Sequence, residues 1–234
     1  RIASKAGLPP GTLVATSEPA HPEHPAPATV AVTRILYDAA GYEEREVASI
    51  EEAFPAPADG RTLWIDVDGV HDVDVLERVG KRFGLHPLLL EDIAHTEQRP
   101  KLESYDDHLF MDLNVLHVHE GSDEVHAEQI SLVLGGSGLL SFNEGPQPWT
   151  RVLRDRLKAD KAHCRKGGPD YLAYSIIDAV VDDYYKVLER IGDRIENLEE
   201  ELMASPTPQT LHAVYTLKRE VINLRKSVWP LREL

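Results

Sequence analysis

From Tyr174 onward the apolar residues fall at Ile177, Val181, Tyr184, Leu188, Ile191, Ile195, Leu198 and Leu202, in alternating steps of three and four. That spacing puts a continuous seam on one side of a helix, and it predicts a long helix in coiled-coil packing. Pro169 suits the first helical turn and Asp170 complements the helix dipole. Run over residues 169–203, the helix spans roughly 50 Å. Ser205-Pro206-Thr207-Pro208 breaks it, after which Thr207 can cap a second helix and Pro208 fits its first position. That second helix carries Val214, Leu217, Val221, Leu224, Val228 and Leu231, again in steps of three and four. A short link between two such seams predicts an antiparallel coiled-coil helix hairpin. The first arm is rich in acids, from Asp178 to the cluster at 196–201. The second carries Lys218, Arg219, Arg225, Lys226 and Arg232, so ion pairs between the arms are expected.

The preceding residues read as alternating strands and short helices, an α+β arrangement. Gly7-Leu8-Pro9-Pro10-Gly11 and His21-Pro22-Glu23-His24-Pro25 have linker composition, so residues 1–28 are expected to be a flexible segment rather than a histidine metal site. Strands are expected over 29–37, 42–50 and 62–67, then a helix over 73–83 stopped by Gly84. Residues 101–104, 108–117, 125–134 and 139–142 are further strands. The glycine-rich 135–138 lacks the following Lys-Ser/Thr of a phosphate loop and reads as a hairpin turn. A helix over 149–158 completes an α/β unit of 29–168, followed by the hairpin unit of 169–234.

One stretch, LHPLLLEDIAHTEQRPKLESYDDHLFM at 85–111, concentrates the chemistry. Pro87 opens a short helix, and Arg99 before Pro100 is pushed toward extended geometry, which ends it. Glu91 and Asp92 are hard oxygen donors beside an apolar run, a costly place for two carboxylates unless something neutralises them. A solvated helix edge and a metal or partner site both fit that pattern. His117 and His119 share one strand face with His126 across the turn, so either a softer-metal site or a polar hairpin tip is open there.

The balance of 25 Lys+Arg against 40 Asp+Glu gives a formal net charge of -15, which argues against a nucleic-acid partner and is compatible with divalent cations. Cys164 is the single cysteine, so no internal disulfide forms. No apolar run reaches the roughly 18 residues of a membrane span, and no signal peptide is visible. The chain ends inside a helical pattern and is expected to be part of something longer. A hydrolase using Glu91 and Asp92 as acid and base lacks a nucleophile with its base and a second convergent polar set, so no enzymatic activity is expected.

Taken together, GLPPGTLV (7–14), HPLLLEDI (86–93), QRPK (98–101), EQISLVL (128–134), DYLAYSIIDAVVDDYY (170–185) and LKREVINLRKSVWPLRE (217–233) resemble the cytosolic domain of the CorA family of magnesium and cobalt channels. The resemblance runs in order along nearly the whole chain. It implies a three-layer α-β-α domain with a mixed sheet between helices, from which the helix hairpin projects. It also implies a homopentamer in the cell membrane, this domain on the cytoplasmic side, with a stalk, two membrane helices and a Gly-Met-Asn pore motif lying past Leu234. Regulatory Mg2+, with Co2+ as a further cation, is implied between neighbouring subunits at Glu91, Asp92 and Asp178. A partner carboxylate lies beyond this chain, so weak binding and a monomer or weak oligomer are expected. Asp178, among Ile176, Ile177, Val180 and Val181, is expected beside the seam rather than on the open face. A zinc transporter of the same superfamily and a non-transport coiled-coil scaffold are the alternatives.

Overall fold

The computed structural model describes residues 9–13, 29–54, 60–96, 98–118, 125–136, 138–159 and 164–233. In chain order these form β1 (Ala31–Tyr37), β2 (Tyr42–Val47), α1 (Ile50–Ala53), β3 (Thr62–Asp68), α2 (Val73–Phe83), α3 (Pro87–Ala94), β4 (Lys101–Ser104), β5 (His108–Val118), β6 (Val125–Gly135), β7 (Gly138–Asn143), α4 (Pro148–Lys158), α5 (Pro169–Ala204) and α6 (Pro208–Val228). A 3-10 turn, Trp229–Glu233, follows. The expected flexible segment lies outside the described residues except for 9–13.

The strands make one seven-stranded sheet in the order β2-β1-β3-β7-β6-β5-β4. Among the described residues only β3 and β7 run parallel, Leu63 opposite Gly138 through Asp68 opposite Asn143; every other pair there is antiparallel. The sheet is therefore mixed. Its central strands bury both faces, which takes a helical layer on each side. Ile35, Tyr37, Trp64, Leu113 and Leu139 point into a core shared with α4, α5 and α6. Leu36, Leu63, Ile65, Phe110 and Leu140 point the other way, against α1, α2 and α3. The three-layer α-β-α expectation holds.

Local signals were obeyed. The Asp72 carboxylate accepts from the backbone N–H of Asp74 and Val75 to start α2, and Gly84 ends it in the left-handed region at φ 67. The Thr207 hydroxyl accepts from Thr210 N at 3.1 Å, with Pro208 in the first turn. The stretch 42–50 is corrected: β2 stops at Val47, and Ile50 opens α1 instead. Ile50 and Ala53 are buried with Glu51 and Glu52 exposed between them, a helical spacing rather than an alternating one. The second hairpin helix stops at Val228, two residues before Pro230, which has no N–H to continue it.

The seam is also corrected. Along α5 the buried side chains are Leu172, Ala173, Ile176, Val180, Tyr184, Val187 and Ile191. Leu188, Ile195 and Leu202 of the expected seam are 46%, 40% and 40% exposed. The first half of α5 lies on the sheet, not on a partner helix, and the sheet selects the stripe through Ile176 and Val180. Only farther along does α6 cover it, through Thr210, Leu217, Glu220 and Leu224. Arg194 and Glu220 pair inside the hairpin, Nη2 to Oε1 at 3.3 Å with a second, shorter contact from Nη1. The arms thus meet through a base on the first and an acid on the second, the reverse of the overall charge division. Among the described residues no helix is long and apolar enough to cross a membrane.

Candidate functional site

The start of helix α3 is set locally. The His86 ring Nδ1 accepts from Leu88 N at 3.2 Å and Pro87 occupies the first turn. Leu89, Leu90, Ile93 and Ala94 face the core. That fixes Glu91 and Asp92 at the half-buried margin of the helix, where each is held by a different part of the chain.

Glu91 Oε2 accepts from Gly11 N at 2.6 Å. Gly11 sits at φ 81, and a Cβ there would lie 3.0 Å from Pro87 Cβ, so the close approach of the 9–13 segment depends on glycine. Asp92 Oδ1 accepts from Gln98 Nε2 at 2.6 Å, and its Oδ2 lies 2.5 Å from Lys101 Nζ. Lys101 also reaches Glu103 at 3.1 Å and stands over the Phe110 ring. Burial works to lower the Lys101 pKa, but its hydrogen bonds and charge attraction to Asp92 and Glu103 outweigh it and hold it above the ordinary lysine value. The neutraliser that the sequence called for at Asp92 is thus an ammonium from the next strand.

Beneath this pair a polar thread runs into the sheet. Gln129 Nε2 donates to the Asp92 backbone carbonyl at 3.1 Å and to Ser131 Oγ at 3.2 Å, and Ser131 Oγ donates to Asp112 Oδ1 at 2.7 Å. Asp112 is 1% exposed. Burial pushes its carboxyl well above the usual carboxylate range, with Ser131 opposing and the Asp92 charge adding. Sequence reasoning missed Asp112 and Lys101; the β4–β5 register, Lys101 opposite Asp112, brings them together.

Asp178 stands apart. It is exposed on α5, because the buried stripe passes through Ile176 and Val180 and turns position 178 outward. This corrects its expected place beside the seam. Helix α3 and α5 cover opposite faces of the sheet, so Glu91 and Asp92 do not converge with Asp178 within one chain. Among the described residues no three His, Cys, Asp or Glu side chains are arranged to hold a metal ion. The donors match Mg2+ in kind, hard oxygens, but one copy does not gather them.

Of the histidines, His117 and His126 sit directly opposite each other on β5 and β6, while His119 lies outside the described residues. His117 Nε2 is 3.1 Å from Gln147 Oε1, and Gln147 Nε2 donates to Glu128 Oε2 at 2.6 Å. A second acidic group closes the far end of the parallel pair. Asp66 accepts from Ser141 Oγ at 2.5 Å and Asn143 Nδ2 at 2.9 Å and pairs with Arg154. Asp68 accepts from the same amide at 3.0 Å. Burial, and then the neighbouring Asp66 charge, push the Asp68 carboxyl up to about 7, against the pull of Asn143 and Arg154.

A family model described as CorA-like Mg2+ transporter protein matches residues 59–234. The chain is 37% identical over 234 residues to the cobalt/magnesium transport protein CorA of Thermotoga maritima, covering 100% of this chain and 65% of that protein. Among solved structures, the soluble domain of CorA from Methanocaldococcus jannaschii aligns with a TM-score of 0.66 at 17% identity, over 89% of this chain and 78% of that one. The ZntB cytoplasmic domain from Vibrio parahaemolyticus aligns at 0.54 and 13% identity, over 84% and 74%. These two likenesses concern the fold alone.

Proposed function

The chain belongs to the CorA-like Mg2+ transporter family, and we propose that it is the cytosolic cation-sensing domain of a magnesium/cobalt channel that works as a homo-oligomer in the cell membrane. In this reading Glu91 and Asp92 form one half of a regulatory Mg2+ site and Asp178 of a neighbouring copy belongs to the other half. The observation that carries it is the split placement of these acids on opposite faces of one sheet. Carboxylates so placed meet only when the α3 side of one copy faces the α5 side of the next, a head-to-tail contact, which forms a ring when the rotation between copies closes.

Bound Mg2+ supplies positive charge between carboxylates that otherwise repel, while keeping several of its waters. The residues of this chain do the rest. Gly11 and the apolar side of α3 hold Glu91 in place. Lys101 donates to the Asp92 carboxylate from β4 and fixes one of its oxygens at the margin of the helix. With the acids neutralised, neighbouring copies stay in one closed arrangement; without that, repulsion loosens them. This is a population shift driven by differential affinity for two arrangements.

The test is magnesium-dependent protection from proteolysis in a chain extended past Leu234 as in the family's full-length members. Asp92→Asn with Asp178→Asn is expected to abolish protection that the parent shows at millimolar Mg2+. Protection as strong as the parent's would move the regulatory site elsewhere, most directly to the exposed acidic stretch at 196–201.

A further inference from the structure

Both oxygens of the Asp92 carboxylate are already engaged. Gln98 Nε2 donates to Oδ1 at 2.6 Å, and Lys101 Nζ lies 2.5 Å from Oδ2. The two donors differ in kind. An amide carries no net charge and can share a carboxylate with a cation. An ammonium beside the same carboxylate repels an incoming dication, and the repulsion is poorly screened because both side chains are largely shielded from water.

Lys101 also has a second acid within reach. Its Nζ donates to Glu103 Oε1 at 3.1 Å, while the Tyr105 hydroxyl donates to the other oxygen, Oε2, at 3.0 Å. Lys101 and Glu103 stand two apart on β4, so their side chains leave the same face of the sheet. Glu103 is the more exposed of the two acids. Since the ammonium touches both already, moving from Asp92 to Glu103 takes side-chain rotation alone and leaves it paired.

We propose that Lys101 is a tethered competitor for the cation, holding Asp92 in the cation-free chain and withdrawing to Glu103 when Mg2+ binds. This rests on the assignment of Asp92 to the regulatory Mg2+ site. The lysine sets the concentration at which that site responds. Its ammonium must be displaced but never leaves the neighbourhood, so it raises the threshold, and Glu103 lowers the threshold again by receiving it.

The experiment is sedimentation velocity at one chain concentration, reading the Mg2+ concentration that gives half of the Mg2+-dependent association. Lys101→Met is expected to lower that concentration about tenfold. Glu103→Gln takes away the place of withdrawal and is expected to raise it about threefold, as fits a more exposed pair. Background charge alone predicts the same two directions, so the double variant decides. With the lysine gone there is no ammonium for Glu103 to receive, and Lys101→Met with Glu103→Gln is expected to match Lys101→Met. Additive effects, or a Lys101→Met chain that responds at the parent's concentration, would overturn the proposal. If Lys101→Met does not fold, 13C-labelled lysine in the parent decides: the Lys101 Cε signal is expected to move saturably over the same Mg2+ range, and an unmoved signal would overturn the proposal. Asp92→Asn separates this inference from the assignment beneath it. A Mg2+ response that survives in that variant, or none in the parent, removes the assignment and the competitor together. A response that needs Asp92 but shows additive charge effects removes the competitor alone.

Discussion

Lys101, the first residue of β4, places its ammonium 2.5 Å from the Asp92 carboxylate on α3. The two side chains are only 26% and 15% exposed, so this is not an ordinary surface pair. It explains how an acid persists next to Leu89, Leu90 and Ile93 without a metal in the same chain. Lys101→Met should leave Asp92 and Glu103 without their shared cation and cost about 1–3 kcal/mol, read as a lower urea midpoint. Added Mg2+ should then recover more of the midpoint in the variant than in the parent. An unchanged midpoint would mean that the pair contributes nothing.

The packing of α5 gives a test that separates neighbouring residues. Val187 is 2% exposed in the core, whereas Leu188 is 46% exposed. Val187→Asp should therefore cost several kcal/mol by burying an unpaired charge, while Leu188→Asp should fall within about 0.5 kcal/mol of the parent. Circular dichroism melts of the two variants suffice. Equal losses would restore the alternative stripe through Leu188.

Asp68 should make stability depend on pH. Its folded pKa of about 7 exceeds the ordinary carboxylate value. Between the two, the unfolded chain has lost a proton that the folded chain keeps. Stability therefore falls as pH rises from the ordinary carboxylate range to about 7, and levels off above it. Asp68→Asn can still accept from Asn143, and it should flatten that slope, gaining on the parent by at most a few kcal/mol at pH 8. Midpoints that fall equally in both proteins across this range would assign the slope to another group.

Much of the fold was legible because its signals are local. Gly84, Thr207 and Pro208 each act through one or two backbone groups, and each stands where its chemistry demands. The register of α5 was not legible, for a physical reason. Tyr184, Ile191 and Leu198 belong to two overlapping apolar stripes, and only contact with the sheet chooses between them. The outward position of Asp178 follows from that same choice. At the candidate site, the acidic pair was visible, but its partners were not. Gly11 lies 80 residues from Glu91 in the chain. Lys101 is nearer, but whether it reaches Asp92 depends on how β4 lies under α3. The lysine was visible within QRPK; its role required the register with Asp112.

The central claim is that the acids of α3 and Asp178 act across two copies of the chain, and complementation tests it most directly. Sedimentation velocity in millimolar Mg2+ would compare the parent, Asp92→Asn, Asp178→Asn, and an equimolar mixture of the two variants. The parent is expected to associate weakly with Mg2+ and to dissociate on chelation, and each variant alone is expected to lose that response. In the mixture, an Asp178→Asn chain still offers an intact α3 side and an Asp92→Asn chain an intact Asp178. One complete junction forms between them, so the mixture should regain Mg2+-dependent dimers. A mixture that sediments like either variant alone, while the parent associates, would contradict the account.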